Sequence, residues 1–108
     1  MVKLMALTTL LLAANSLKAQ KVDSIFFNLY TDSLKKGVHN YINIDGKLSN
    51  GRWMPLTTKE LNFSASAGSF DGNSLVIDTS FSGEKVLVTA VLKANPSIKK
   101  ETVIYIKK

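Results

Sequence analysis

His39 is the one histidine in a chain of 108 residues, and there is no cysteine. An imidazole exchanges its proton near neutral pH, so His39 is the natural candidate for a general base or a metal ligand. It stands between Val38 and Asn40 at the start of an expected strand, and no Gly-x-Ser-x-Gly turn offers it a nucleophile. A surface histidine is the expectation. The lack of cysteine excludes a disulfide scaffold, a thiolate metal site, a cysteine nucleophile and haem attachment. Asp45-Gly46-Lys47-Leu48-Ser49-Asn50-Gly51 superficially has the look of a calcium loop. However, Leu56 takes the twelfth place, where a glutamate is needed, and Leu48 replaces an oxygen ligand. Asp71 and Asn73 offer oxygens to a cation, but two ligands do not make a site. The carboxylates are Asp23, Asp32, Asp45, Glu60, Asp71, Asp78, Glu84 and Glu101, none of them in an apolar context that would suit acid–base work. No cofactor site is expected.

The side chains with more to offer are aromatic. Tyr30, Tyr41, Trp53 and Phe70 would serve carbohydrate stacking or a protein interface if exposed, and would cap the core if buried. Trp53 lies in Gly51-Arg52-Trp53-Met54-Pro55, where turn and edge signals argue against full burial. Trp53, Arg52, Tyr41 and Tyr30 are therefore the candidate binding surface. The lysine doublets Lys35-Lys36, Lys99-Lys100 and Lys107-Lys108 suit solubility and blunted strand edges, and less readily an acidic glycan or headgroup. Asn62-Phe63-Ser64 fits a glycosylation sequon but falls inside an expected strand.

Those residues need a frame, and the pattern supplies one. Short alternating apolar runs recur between Gly, Asn, Asp, Ser and Pro clusters. In 24–30, Ile25, Phe27 and Leu29 share one face, and Phe26 and Tyr30 the other. In 40–45, Ile42 and Ile44 point inward, and Asn43 and Asp45 outward. Leu61, Phe63 and Ala65 share a face in the third run, and Ser74–Asp78 is the fourth. Val86, Val88, Ala90 and Leu92 share a face in the fifth, and 101–106 closes the series. Residues 52–56 add an edge piece, because Pro55 cannot donate to the centre of a ladder. Tight turns are expected at Asp45-Gly46 and Asn50-Gly51, with Asp71-Gly72-Asn73 and Ser82-Gly83-Glu84 linking later runs, Asn95-Pro96-Ser97 opening the last connection, and one helical turn over 32–36. Six or seven strands with connections too short for crossover helices predict an all-β antiparallel sandwich.

The first 19 residues differ from the rest. Met1-Val2-Lys3 carries a positive charge, residues 4–14 are an uncharged apolar run, and a polar stretch ends at Ala19. That order is the one a secretory leader follows. Eleven residues rise only about 16 Å as a helix, too short for a hydrocarbon core of about 30 Å. The expectation is a signal peptide at 1–19, cut before Gln20, with one domain over 20–108; a buried N-terminal helix is the alternative. After the cut, 12 basic and 8 acidic residues leave a net charge of about +4. Export makes nucleic acid an unexpected partner, and no further apolar run is long enough to span a membrane.

The half of the chain from Leu61 to Ile106 carries a resemblance. Ala67-Gly68-Ser69-Phe70-Asp71-Gly72-Asn73 precedes a short strand, Val88-Thr89-Ala90-Val91-Leu92 forms the next, and Thr102-Val103-Ile104-Tyr105-Ile106 closes the domain. This resembles the C-terminal half of a bacterial immunoglobulin-like domain of the Big or invasin type. The cysteine pair of antibody domains is absent. The resemblance implies an Ig-like sandwich that serves as a binding or structural module, with no cofactor and no catalytic residue to carry over. The expectation is thus an exported, non-enzymatic module of the bacterial cell envelope, periplasmic or secreted. Its partner would be an envelope protein or polysaccharide; an accessory subunit of a larger envelope assembly, or a carbohydrate-binding protein, is the alternative.

Overall fold

The two longest strands lie side by side and organise everything else. In the computed structural model, which describes residues 21–108, Lys85–Leu92 (β9) pairs antiparallel with Lys99–Ile106 (β10). The expected leader, 1–19, lies outside the described residues. Preceding them are Val22–Phe27 (β1), Ser33–Leu34 (β2), His39–Tyr41 (β3), Ile44–Leu48 (β4) and Trp53–Leu56 (β5). Leu61–Ala65 (β6), Ser69–Asp71 (β7) and Ser74–Val76 (β8) complete the set. The fold is all-β, and no described helix is long and apolar enough to cross a membrane.

Three sheets result, ordered β1-β4-β5, β2-β10-β9-β6 and β3-β8-β7. Pairing is antiparallel throughout, except that β2 runs parallel to β10, Ser33 opposite Tyr105 and Leu34 opposite Ile106. One core takes side chains from all three sheets. Val86, Val88, Ala90 and Leu92 point into it from β9, as their alternation predicts, and meet Leu61 of β6 and Ile104 of β10. Ile25, Ile44 and Leu56 enter from the first sheet, and Leu75 from the third. Burial of each such valine, leucine or isoleucine contributes about 1.5–3 kcal/mol, and of Ala90 less.

Ten strands stand where six or seven were expected: the run 40–45 splits in two, Ser33–Leu34 joins a sheet, and Ser69–Asp71 pairs with β8. The run 40–45 is not one strand. It splits into β3, which pairs with β8, and β4, which pairs with β1 and β5. At the handover both Ile42 and Asn43 are buried, so the expected outward Asn43 is turned in. Residues 32–36 make no helical turn. Their backbone is taken up by β10 at Ser33–Leu34 and then by a parallel bridge from Lys36 to Ile77. Asp45-Gly46 is not a turn either, but the middle of β4, opposite Pro55 and Met54. Glycine suits that place because a Cβ would sit 2.9–3.0 Å from the side-chain carbons of buried Leu56.

Side-chain amides pin these crossings. Asn73, in the β7–β8 turn, donates from Nδ2 to the carbonyls of Leu56 (3.0 Å) and Ile42 (3.4 Å), and its own carbonyl accepts from the Ile42 N–H. It thereby ties the third sheet to the ends of the first. Asn40 makes a paired contact with the Lys35 backbone, accepting its N–H and donating to its carbonyl, both at 2.9 Å. It also donates to the Leu75 carbonyl at 2.9 Å. No buried side-chain polar atom among the described residues lacks a partner.

Candidate functional site

Strand alternation in the first sheet decides which side chains reach water. Because Ile25 and Phe27 point to the core, Phe26 is turned outward. Register then lines up two outward rows across the sheet, Phe26–Asp45–Pro55 and Ser24–Lys47–Trp53. Trp53 is 59% exposed and Phe26 40%. Their ring centroids lie 5.5 Å apart at 60°, a tilted pair spanning the sheet from β1 to β5. The Lys47 Nζ sits 5.8 Å from the Trp53 ring centre, and the Lys100 Nζ, from the start of β10, sits 5.4 Å from that of Phe26. Each ammonium is within range of attraction to the electron-rich ring face.

The hairpin joining β4 to β5 holds Arg52 at the end of this strip. Gly51 has a φ of 85°, which a side chain rarely permits, and its N–H donates to the Leu48 carbonyl. The Asn50 Oδ1 accepts the Arg52 N–H at 3.0 Å, which closes the turn and leaves Arg52 exposed beside Trp53. Among the described residues, basic and acidic side chains meet within 4.0 Å at His39–Asp71 and Lys99–Glu101, and neither contact involves Lys47, Lys100 or Arg52. Asp45 shares the outward face but is engaged by amides, accepting from Asn28 Nδ2 at 3.0 Å and Asn43 Nδ2 at 3.4 Å.

Tyr30 and Tyr41 form a separate place. Their rings are nearly parallel, 10° apart in plane and 5.9 Å between centroids. They line an open groove with Asp32, Lys35, His39 and Lys107. Tyr30 is 71% exposed, so the pair is a wet platform and not a cap on the core. Asn40 shapes this groove by holding the 35–38 loop.

The four residues expected to make one binding surface thus fall into two: Trp53 with Arg52 on the outer face of the first sheet, and Tyr30 with Tyr41 in the groove. Phe70 belongs to neither, since it is half-buried and stacked on Phe63 at 4.8 Å. Phe26, Lys47 and Lys100 were missed as site residues. The parity of the first strand already turned Phe26 outward, but the arrival of Lys100 beside it is a long-range event with no local signal. His39 Nε2 lies 3.1 Å from Asp71 Oδ2, both side chains largely exposed. No described cluster of three His, Asp or Glu side chains is placed to hold a metal ion. The calcium-loop likeness ends with Asp45 inside a strand, and Asn73 spends its amide on backbone carbonyls. The sequence matches no protein-family model and no curated protein.

Proposed function

We propose that this chain is an exported, non-enzymatic binding module of the bacterial cell envelope, built on an Ig-like sandwich and working in the periplasm or outside the cell. The sandwich is supported by strand order. Taken in sequence as strands A to G, β2, β3, β6, β7, β8, β9 and β10 group as B-E-D and C-F-G, with the first strand beside the last. On this reading the β4–β5 hairpin is an addition at the B–C connection, and β1, which precedes strand A, pairs with that hairpin. The leader-like first 19 residues support export.

The observation that carries the binding role is the pairing of aromatic rings outside the core, Phe26 with Trp53 and Tyr30 with Tyr41. Surface rings of this size are expensive in water and useful to a partner that covers them. Trp53 is the chain's one tryptophan, so its emission reports directly on the first-sheet strip. Titrating the exported protein with purified envelope polysaccharides and with detergent-solubilised envelope proteins should shift that emission or the Tyr41 amide resonance. No response at either aromatic pair would overturn the binding role.

A second reading, an accessory subunit of a larger envelope assembly, is favoured by the outer face of β9 and β10. There Leu87 and Val103 are paired in register and remain 40% and 47% exposed, with Tyr105 close by at 59%. Co-purification of a stoichiometric partner, lost on Val103→Lys, would select it.

A further inference from the structure

We infer that the strip formed by Phe26, Trp53, Lys47 and Lys100 takes an acidic polysaccharide, the sugar faces lying on the two rings and the carboxylate or sulfate groups meeting the ammonium groups. This rests on the binding-module proposal and narrows it to a site and a ligand class. Three observations converge. The rings are tilted against each other across the sheet and stay open to water, with Trp53 the more exposed. An ammonium stands over each ring. Neither ammonium has a carboxylate within ion-pair distance among the described residues, and Arg52 adds a third cation at the hairpin end.

The sign of the ligand follows from competition for the ring faces. The polarised C–H groups of a sugar stack on the same electron-rich face that attracts the ammonium. A neutral sugar that displaces Lys47 or Lys100 offers the displaced charge only hydroxyl acceptors. An acidic sugar supplies an anion at the rim of the ring, so the ammonium exchanges a ring contact for a charge-assisted one. The only carboxylate in the two outward rows is Asp45, already held by Asn28 and Asn43. Its presence favours a single polymer chain, which can run past it, over a continuous anionic lipid surface pressed against the whole face.

The test uses the full exported protein, following Trp53 fluorescence and calorimetric heats with four probes: polygalacturonate, its fully methyl-esterified neutral form, dextran, and vesicles rich in phosphatidylglycerol. Polygalacturonate should bind and shift Trp53 emission, and its affinity should fall with added salt. Its affinity should also exceed that of the methyl ester by about tenfold or more. Lys47→Gln combined with Lys100→Gln should remove that preference, whereas Lys85→Gln on β9 should not; near-ultraviolet circular dichroism checks that each variant is folded. Equal binding of the ester, or preference unchanged in the double variant, would overturn the acidic assignment while leaving a binding module. Loss of binding with Tyr41→Ala but not with Trp53→Ala would move the site to the groove and overturn the strip. Binding to vesicles alone would overturn the polysaccharide, and silence toward all four probes would reject this strip as a site, leaving the envelope-protein arm of the broader proposal to its own titration.

Discussion

The two halves of this molecule are held by different means. From Leu61 onward, β6, β9 and β10 stay in one sheet along their whole length, and an aliphatic ladder of Leu61, Val86, Val88, Ala90, Leu92 and Ile104 joins them to the core. Before Leu61, β4 also keeps both of its partners along its length, but the chain leading into it changes sheets. The chain leaves one sheet for another at Ile42–Asn43, and touches two sheets within 33–36. Here position is fixed by directional contacts, the amides of Asn40 and Asn73 and the close seat of Leu56 on Gly46. Hydrophobic burial is indifferent to direction, so it suits a regular ladder. A chain that changes sheets strands backbone carbonyls at the crossing, and only a donor aimed at them avoids the desolvation penalty.

Substitutions separate the two regimes. Val88→Asp places a charge in the ladder and should destabilise by about 4 kcal/mol or more, unfolding the domain. A thermal melt like that of the parent would mean the β9 face is misassigned. In the first half, Gly46→Val drives a side chain into Leu56 and should lower stability by about 3 kcal/mol. The next effect is smaller. Asn73→Ala leaves the Leu56 and Ile42 carbonyls without their donor, a loss of about 2 kcal/mol by denaturant titration. If Asn73→Ala matched Val88→Asp, the amide would be a keystone and the contrast between halves would fail. Trp53→Ala, at an exposed ring, should change stability by less than about 1 kcal/mol while removing ligand response.

The mildest effect is electrostatic. Asp78 accepts the Ser80 hydroxyl at 2.7 Å and the Ser80 N–H at 2.8 Å, and these bonds, the hydroxyl's first, hold its carboxyl below the ordinary value of 3.8. A folded-state value that is depressed stabilises the fold above the unfolded value and stops doing so as pH falls through the lowered one. Melting temperatures of the parent and Asp78→Asn should therefore differ slightly near neutrality and converge in acid. A gap that widens in acid would contradict the bond pattern.

Much of the ladder half was readable from residue order, because a period of two maps directly onto two faces when a strand stays in one sheet. Val86 to Leu92 is the clearest instance, and Pro55 likewise marked β5 as an edge. The same rule misplaced Asn43, since the parity of 40–45 resets where the chain changes partners. Turn chemistry pointed to a bend at Asp45-Gly46, because nothing local reveals that Leu56 will lie against Gly46. The outward placement of Trp53 was legible. Its union with Phe26 and Lys100 was not, since three separate strands bring those residues together only after the sheets have formed.

The short parallel pairing of β2 with β10 carries a mechanical consequence. Tension applied to the chain just before Ser33 and just after Ile106 would pull these neighbours in opposite directions along their common axis. Their few hydrogen bonds, joined by the one from Lys107 to the Leu34 carbonyl, would then be loaded together instead of being peeled apart in turn. A tethered protein would feel that clasp as a stiff latch that holds until it releases all at once.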